Sequence, residues 1–391
     1  MNAKTISKAT DAVKAVDLRL KAKSTIHDLE GVIADERWGG PEPRSVDLRI
    51  PSAFEPDILA DIWAGMLTGT LCRNHIVKTV GWGISDAITA TSNIATSPAF
   101  LASLSSANTI ASESGAEVDS ASLRREFALL LHGLVDVTSG KVQTLVEFDP
   151  EYSVAPALRG GDGFAEVSAL DRKRIFEQLV LEFRQKLEVA AIRYGVTPVN
   201  SGAAGDIGKF LEEIHENAHE HGSRDASGRT IRGTRLMRMR KHLADSKKQL
   251  SERCGTFSAL AKHIEDSFAE NTKLPVLIEA CVSDFGSGIV DGFLATDAGR
   301  MLQRTNRREL LEALIYDRLS SKSSDPSAGL GLQKALDAAR QMGAFVSLRT
   351  GEFWLTVSFA KAGGEPKLED VSKEALGKVA GTHWQILWTQ S

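Results

Sequence analysis

One short segment places a carboxylate, a carboxamide and an imidazole at helical spacing. Within LEEIHENAHEHG, Glu213, Asn217 and His221 follow one another at intervals of four residues, so they share one face of a predicted helix. An amide oxygen can ligate a hard cation such as Mg²⁺ without adding charge, and a neighbouring carboxylate can orient water as a general base. The segment therefore indicates a site that could hold water and a divalent cation together.

Two glycine-containing segments further along the chain suit a nucleotide. A predicted buried strand ends at Asp284, whose carboxylate can accept a hydrogen bond from an exocyclic amine. Gly286 and Gly288 then allow a tight turn close to a flat ring. In SAGLGL, Gly329 and Gly331 precede a predicted helix, whose free N–H groups favour an anion. In this order, the three segments indicate a nucleotide site with a metal.

The ordered set resembles the sequence boxes of the GHKL superfamily, the histidine-kinase-like ATPases. Glu213-x-x-x-Asn217 resembles the N box, Asp284-x-Gly286-x-Gly288 the first glycine box and Gly329-Leu330-Gly331-Leu332 the second. The resemblance implies a Bergerat ATP-binding fold over the last half of the chain. It also implies that Glu213 activates water, Asn217 binds Mg²⁺ and Asp284 accepts the adenine amine. The other ATP-site residues that it implies are His221, Gly286, Gly288, Ile289, Lys322, Gly329, Leu330, Gly331 and Leu332.

Three functions remain open for such a site. The first is an Mg-ATP-dependent switch that acts on a protein partner or within a homodimer, with slow hydrolysis at most. The second is a serine kinase of the anti-sigma type that acts on a separate protein. Histidine autokinase activity is not expected, because no phosphoacceptor box precedes the ATPase segments and His132 lies on an apolar predicted helix. The third is a zinc protease, since HENAH at 215–219 matches HExxH and Gly222 and Asp225 extend the match. A protease leaves both glycine boxes unexplained, so it ranks last.

The elements around these segments predict an α/β (α+β) chain of two domains. A glycine break at 160–163 separates an N-terminal regulatory or interaction domain, residues 1–160, from the ATP-binding domain, residues 165–391. The second domain is predicted to be a two-layer α/β sandwich with a mixed sheet and helices on one face. Its predicted helices are a long amphipathic one after the break and those at 209–221, 257–268, 307–319 and 333–342, and its strands lie at 275–282, 345–349, 353–359 and 383–388.

The first domain is predicted to be α-rich or mixed. Its predicted elements are a helix within the first forty residues, helices at 58–71 and 123–137, and strands at 46–50 and 142–148. Residues 85–122 are rich in Ala, Ser and Thr, which fits either small-residue helix packing or a mobile surface segment. The basic stretch from Arg224 to Lys241 is interpreted as a solvated loop-and-strand face, because it lacks the aromatics of a nucleic-acid surface.

The composition of the chain argues against several classes of protein. The chain has 391 residues, 42% of them hydrophobic and 25% charged, which is ordinary for a globular protein. A net charge of −4 predicts no bulk attraction to nucleic acid or to anionic membranes. Three widely separated cysteines argue against a disulfide framework and against structural zinc. Because neither a signal peptide nor a long apolar run occurs in the sequence, we expect a cytoplasmic protein without a membrane partner.

Overall fold

The described residues form a mixed α/β structure, as the sequence predicts at that level, and their strands make two β-sheets. The structure is a computed structural model. It describes residues 15–38, 42–54, 57–81, 97–119, 123–124, 142–149, 174–178, 180–181, 203–222, 225, 227, 229, 231, 233–270, 272, 274–302, 306–317, 319, 330–361, 367–372 and 376–390.

The N-terminal sheet has five strands in sequential order. Strands β1 (Val16–Arg19), β2 (Ser45–Ile50), β3 (Ile76–Gly81) and β4 (Thr109–Ser112) are parallel, and β5 (Glu117–Val118) pairs antiparallel with β4. The tetrapeptide VDLR occurs at 16–19 and again at 46–49, and the two copies pair in register. Their alternation of apolar and charged residues is typical of a half-buried strand. The prediction of helix is therefore wrong for β1, whereas the predicted strand at 46–50 is confirmed.

The C-terminal sheet has seven strands, and every described pairing in it is antiparallel. Its strands are β6 (Val142–Asp149), β7 (Gly233–Leu243), β8 (Val276–Ser283), β9 (Phe345–Gly351), β10 (Phe353–Ser358), β11 (Glu369–Asp370) and β12 (Val379–Gln390). Their order is β11-β10-β9-β12-β8-β7-β6. The predicted mixed sheet is wrong, because β12 lies between β8 and β9 and runs opposite to both. The predicted strands within β6, β8, β9, β10 and β12 are confirmed.

Helices cover both faces of the seven-stranded sheet. The helices whose bounds lie within the described residues are α1 (Ile26–Ile33), α2 (Ala60–Asn74), α3 (Pro98–Ser106), α4 (Ala203–His221), α5 (Lys247–Glu252), α6 (Ser258–Ser267), α7 (Ile289–Leu294), α8 (Asp297–Arg300), α9 (Arg307–Tyr316) and α10 (Gly331–Gln341). Apolar residues of α4, α7, α9 and α10 form a core with one face, and those of α1, α2, α3, α5 and α6 form a core with the other. The prediction of helices on one face is wrong, because every residue of β8 and of β9 is buried.

Helix α2 lies between the two sheets and is buried along most of its length. Residues 60–72 are all buried, and Gly65 allows α3 to approach closely, because a Cβ there would lie 2.8 Å from the Cβ of Pro98. The predicted helix at 58–71 is thus confirmed. Within the small-residue region 85–122, residues 98–106 form a packed helix, whereas residues 82–96 lie outside the described part of the chain.

Strand β7 corrects the interpretation of the basic stretch. Arg235 and Arg238 are 2% and 3% exposed, so this part of the stretch is an interior strand rather than a solvated face. Arg238 and Arg240 each donate to Asp61 of α2 over 2.6 Å. The partner carboxylate is 177 positions away from Arg238 in sequence, which is why composition alone suggested exposure.

The predicted domain boundary is outside the described residues. Residues 160–163 are not described, and neither is most of the predicted helix at 123–137. In the long helix predicted after the break, residues 174–178 and 180–181 are helical, with Phe176 and Val180 buried. Strand β6 precedes that boundary in sequence and pairs with β7 of the C-terminal sheet. The division at 160–165 stays a prediction.

Candidate functional site

The three sequence segments meet around one cavity beside the seven-stranded sheet. The cavity measures about 140 Å³, roughly ten times the space that a single buried water needs. Its walls are mainly apolar, with a few polar groups from α4, from the turn after β8 and from β12. They are formed by Ile214, Asn217, Ala218, His221, Val282, Asp284, Gly288, Ile289, Gly292, Phe293, Thr296, Leu314, Leu319, Gly331, Leu332, Thr382 and Trp384. Apolar walls with few polar groups are typical of small-molecule sites.

Helix α4 presents Asn217 and His221 to this cavity because its neighbouring face is apolar. Phe210, Ile214 and Ala218 are 0%, 1% and 4% exposed and pack onto the sheet, as their spacing predicts. Gly222 follows the helix and lies against the turn after β8, where a Cβ would approach the Cβ of Asp284 to 2.4 Å. Only glycine therefore lets the helix end come this close to Asp284.

Asp284 is the buried carboxylate of the site. It is 5% exposed, and the N–H of Gly286 donates to its Oδ1 over 2.9 Å. Its backbone N–H donates to the carbonyl oxygen of Thr382 over 3.0 Å, which fixes the residue against β12. Burial raises the pKa of the Asp284 carboxyl to about 7, because the charged form loses its hydration. Within the described residues no hydrogen bond to Oδ2 occurs, so a ligand donor can take that position.

The glycine turn after Asp284 leads directly into α7. Gly288 has a φ of +79°, a left-handed conformation that favours glycine. A Cβ there would lie 3.0 Å from the Oγ1 of Thr350. The next N–H, that of Ile289, donates to the same Oγ1 over 3.1 Å. Both Gly288 and Ile289 line the cavity, so the turn forms one of its walls.

The N-terminus of α10 closes the side of the cavity next to α4. A Cβ on Gly331 would lie 2.8 Å from the Oε2 of Glu213 and 3.5 Å from the Nδ2 of Asn217. Asn217 donates through Nδ2 to the carbonyl oxygen of Glu213 over 2.7 Å, which leaves its Oδ1 as an acceptor. The Nζ of Lys334 lies 3.4 Å from the Oε1 of Glu213.

The predicted site residues fall into three groups. Those that line the cavity are Asn217, His221, Asp284, Gly288, Ile289, Gly331 and Leu332. Glu213, Gly286 and Leu330 are adjacent to residues of its wall: Glu213 lies against Gly331, Gly286 donates its N–H to Asp284, and Leu330 is the N-cap of α10, next to Gly331. Lys322 and Gly329 lie outside the described residues.

Sequence reasoning missed the contribution of β12. Thr382 and Trp384 line the cavity, and the strand has an irregular register just before Thr382. Gly381 has a φ of +78°, and a Cβ there would overlap the carbonyl oxygen of Asp284 at 1.9 Å. The signal was a lone glycine near the start of a predicted strand, which often marks a bulge or a close backbone approach.

The HExxH segment does not assemble a zinc site among the described residues. His215 is 5% exposed and packs on Phe176 with ring centroids 5.2 Å apart, so it is an interior residue. The Asp225 carboxylate accepts hydrogen bonds from Ser227 and Arg229. Over the described ranges, no group of three or more His, Cys, Asp or Glu residues is placed to hold a metal.

Neither models of known protein families nor curated proteins match this chain. None of the helices in the described part of the chain is both long enough and apolar enough to span a membrane.

Proposed function

We propose that this chain binds ATP in the cavity between α4, α7, α10 and β12, on a fold of the Bergerat type. One observation carries the proposal: three segments that are distant in sequence, and that resemble the GHKL boxes in order, line a single cavity with a buried carboxylate. Separate structural roles for these segments would not require them to surround the same space.

The chemistry of the cavity suits an adenine ring. Ile214, Ile289 and Leu332 offer apolar surface to the faces of a flat ring. Asp284 supplies an acceptor for the exocyclic amine of adenine. Guanine carries a carbonyl oxygen at the corresponding position, which would face the carboxylate with no proton to donate. The proposal therefore includes a preference for ATP over GTP.

The triphosphate then extends towards the N-terminus of α10. The N–H groups at the start of this eleven-residue helix favour an anion. Asn217 would hold Mg²⁺ through its Oδ1, because its Nδ2 is already bonded to the backbone of Glu213. When bound, the ion neutralises phosphate charge. Glu213 is the candidate base for the attacking water, since it lies next to Gly331 and one helical turn from Asn217.

A nucleotide-controlled switch is the role that the surroundings of the site favour. The ring of Phe285, next to Asp284, packs against Gly69 of α2, where a Cβ would approach a ring carbon to 2.1 Å. One residue on, the Oγ1 of Thr70 accepts a hydrogen bond from the N–H of Ala380 over 3.0 Å. The N-terminal region therefore contacts the backbone segments that line the cavity, so a change in them on ATP binding would reach it.

Calorimetric titration with Mg-ATP tests the proposal. We expect Asp284→Asn to weaken ATP binding about 10- to 100-fold, because a hydrogen bond to a charged acceptor contributes about 1.5–3 kcal/mol. Asp266→Asn is the matched control, since Asp266, on α6, pairs with Lys361 and does not line the cavity. Failure of the wild-type protein to bind ATP, equal binding by Asp284→Asn, or stoichiometric zinc without nucleotide affinity would contradict the proposal.

A labelled γ-phosphate separates the remaining roles of the same site. Under the switch hypothesis, label stays on ATP or is slowly released as free phosphate. Label that accumulates on a serine of a partner protein would instead establish the anti-sigma type of kinase. Both results require the wild-type protein to bind ATP, so this experiment follows the calorimetry.

A further inference from the structure

Glu213 has a cationic neighbour on α10 that the sequence boxes do not include. Lys334 lies one turn into this helix, three residues after Gly331, and its Nζ is 3.4 Å from the Oε1 of Glu213. The other carboxylate oxygen, Oε2, lies against Gly331. Both carboxylate oxygens of Glu213 therefore lie close to the same end of α10, where the proposed triphosphate ends.

The exposure of this ion pair makes it exchangeable. The side chains of Lys334 and Glu213 are 44% and 19% exposed. An ion pair with this access to water contributes little net stability, so a stronger anion can replace the carboxylate at small cost. The pair between Arg349 and Glu30 is different, with side chains only 1% and 9% exposed. A buried pair of that kind cannot exchange partners without leaving a charge unpaired.

We propose that Lys334 pairs with two anions in turn, the carboxylate of Glu213 and the γ-phosphate of ATP. Without a terminal phosphate, Lys334 pairs with Glu213. When ATP is bound, Lys334 pairs with its γ-phosphate, and the carboxylate of Glu213 becomes free to accept a proton. The flexible stem and three donors of lysine suit such a transfer. This inference rests on the proposed function, because it needs a triphosphate at the N-terminus of α10.

With this exchange, Glu213 can act as a base only when ATP is bound. The oxygen of the attacking water bonds to the γ-phosphorus, while Glu213 accepts a proton from that water. The bond between the γ-phosphorus and the β–γ bridging oxygen breaks, and that oxygen keeps the electron pair on ADP. After phosphate leaves, Glu213 releases its proton to solvent and Lys334 pairs with the carboxylate again.

The affinities for Mg-ATP and Mg-ADP, measured by calorimetry on the full chain, test the exchange. We expect Lys334→Met to raise the Kd for ATP about tenfold and to change the Kd for ADP less than twofold, because ADP has no γ-phosphate. Lys334→Arg should retain the preference for ATP. Arg340→Met, an exposed change in the last turn of α10, should leave both affinities unchanged. Equal losses for ATP and ADP, or none for either, would overturn the inference.

Glu213→Gln gives a second signature, because it removes the anion that competes for Lys334. We expect the Kd for ATP to fall about threefold, with the Kd for ADP unchanged. A role for Glu213 in proton transfer alone would leave both values unchanged and would contradict the exchange. If the wild-type protein binds neither nucleotide, the proposed function fails. If it binds ATP through Asp284 but Lys334→Met keeps the ATP preference, only this inference fails.

Discussion

Buried charged groups have different surroundings on the two faces of the seven-stranded sheet. On the face towards α4 and α10, the buried carboxylate of Asp284 has a backbone donor on one oxygen and lines a cavity. On the face towards α2, buried charges pair with opposite charges: Arg349 with Glu30 at 2.9 Å, and Arg238 with Asp61 at 2.6 Å. A carboxylate beside open space can be completed by a ligand, whereas a paired charge in a packed core can only hold elements together. The first face thus suits binding and the second suits rigidity.

The largest effect is expected when a charge is removed from the packed face, the face towards α2. Glu30→Gln leaves the guanidinium of Arg349 buried without its counter-charge, so we expect the free energy of unfolding to fall by about 3–5 kcal/mol. Urea denaturation followed by tryptophan fluorescence measures it. The control is Glu270→Gln, because Glu270 is 88% exposed in its pair with Lys247 and should change stability by about 1 kcal/mol or less. Similar losses of stability in the two variants would contradict the view that buried ion pairs hold the packed face together.

A smaller change tests whether the packed face acts on the cavity. Gly69→Ala places a Cβ about 2 Å from the ring of Phe285, so the ring must move. We expect a destabilisation of about 1–3 kcal/mol from overpacking. Since Phe285 follows Asp284 directly, we also expect the Kd for ATP to rise about fivefold, within the range typical of coupling between sites.

The control for this coupling is Gly31→Ala on α1, where nothing lies within 4 Å of the added Cβ. Alanine is the better helix former, so this variant should gain up to about 1 kcal/mol and bind ATP as the wild type does. If Gly69→Ala loses stability but keeps its ATP affinity, the two faces are independent and the switch loses its structural support.

Local sequence patterns predict an element correctly when its partners are near in sequence or when one of its faces is apolar throughout. The spacing of Phe210, Ile214 and Ala218 places the apolar face of α4 correctly, and the mainly apolar run before Asp284, interrupted by Glu279, predicts β8. Both follow from periodicity alone. The same spacing puts Asn217 and His221 on the cavity side. Gly288 and Gly331, which belong to the segments predicted to lie close to a ligand, line the wall.

Other features depend on partners that are far away in the chain. The alternation of Met237, Arg238 and Met239 is a strand signal, but the burial of the arginine depends on Asp61. The VDLR segment at 16–19 is a strand because an identical segment at 46–49 pairs with it. Likewise, β12 makes the C-terminal sheet antiparallel by inserting between β8 and β9, a choice of position that no local pattern encodes.

The last comparison uses pH, because the buried carboxyls on the two faces titrate differently. Burial raises the pKa of Asp284 to about 7, so its carboxyl is mostly protonated at pH 6 and mostly ionised at pH 8. The ionised carboxylate accepts from an amine more strongly than the protonated carboxyl, which keeps only its carbonyl oxygen as a good acceptor. The ionised fraction rises about tenfold over this range, so the affinity for adenosine should rise by up to about the same factor. Adenosine is the ligand of choice because it lacks phosphates that titrate in this range.

Two comparisons decide whether Asp284 causes this pH dependence. Asp284→Asn removes the titrating group, so its weaker adenosine binding should not vary between pH 6 and pH 8. On the packed face, burial alone would raise the pKa of Asp61, but the charges of Arg238 and Arg240 outweigh burial and hold it well below its ordinary value. Asp61 therefore stays ionised throughout, and Asp61→Asn should be equally destabilising at both pH values. An affinity that is independent of pH in the wild-type protein would mean that the Asp284 carboxyl does not accept the amine.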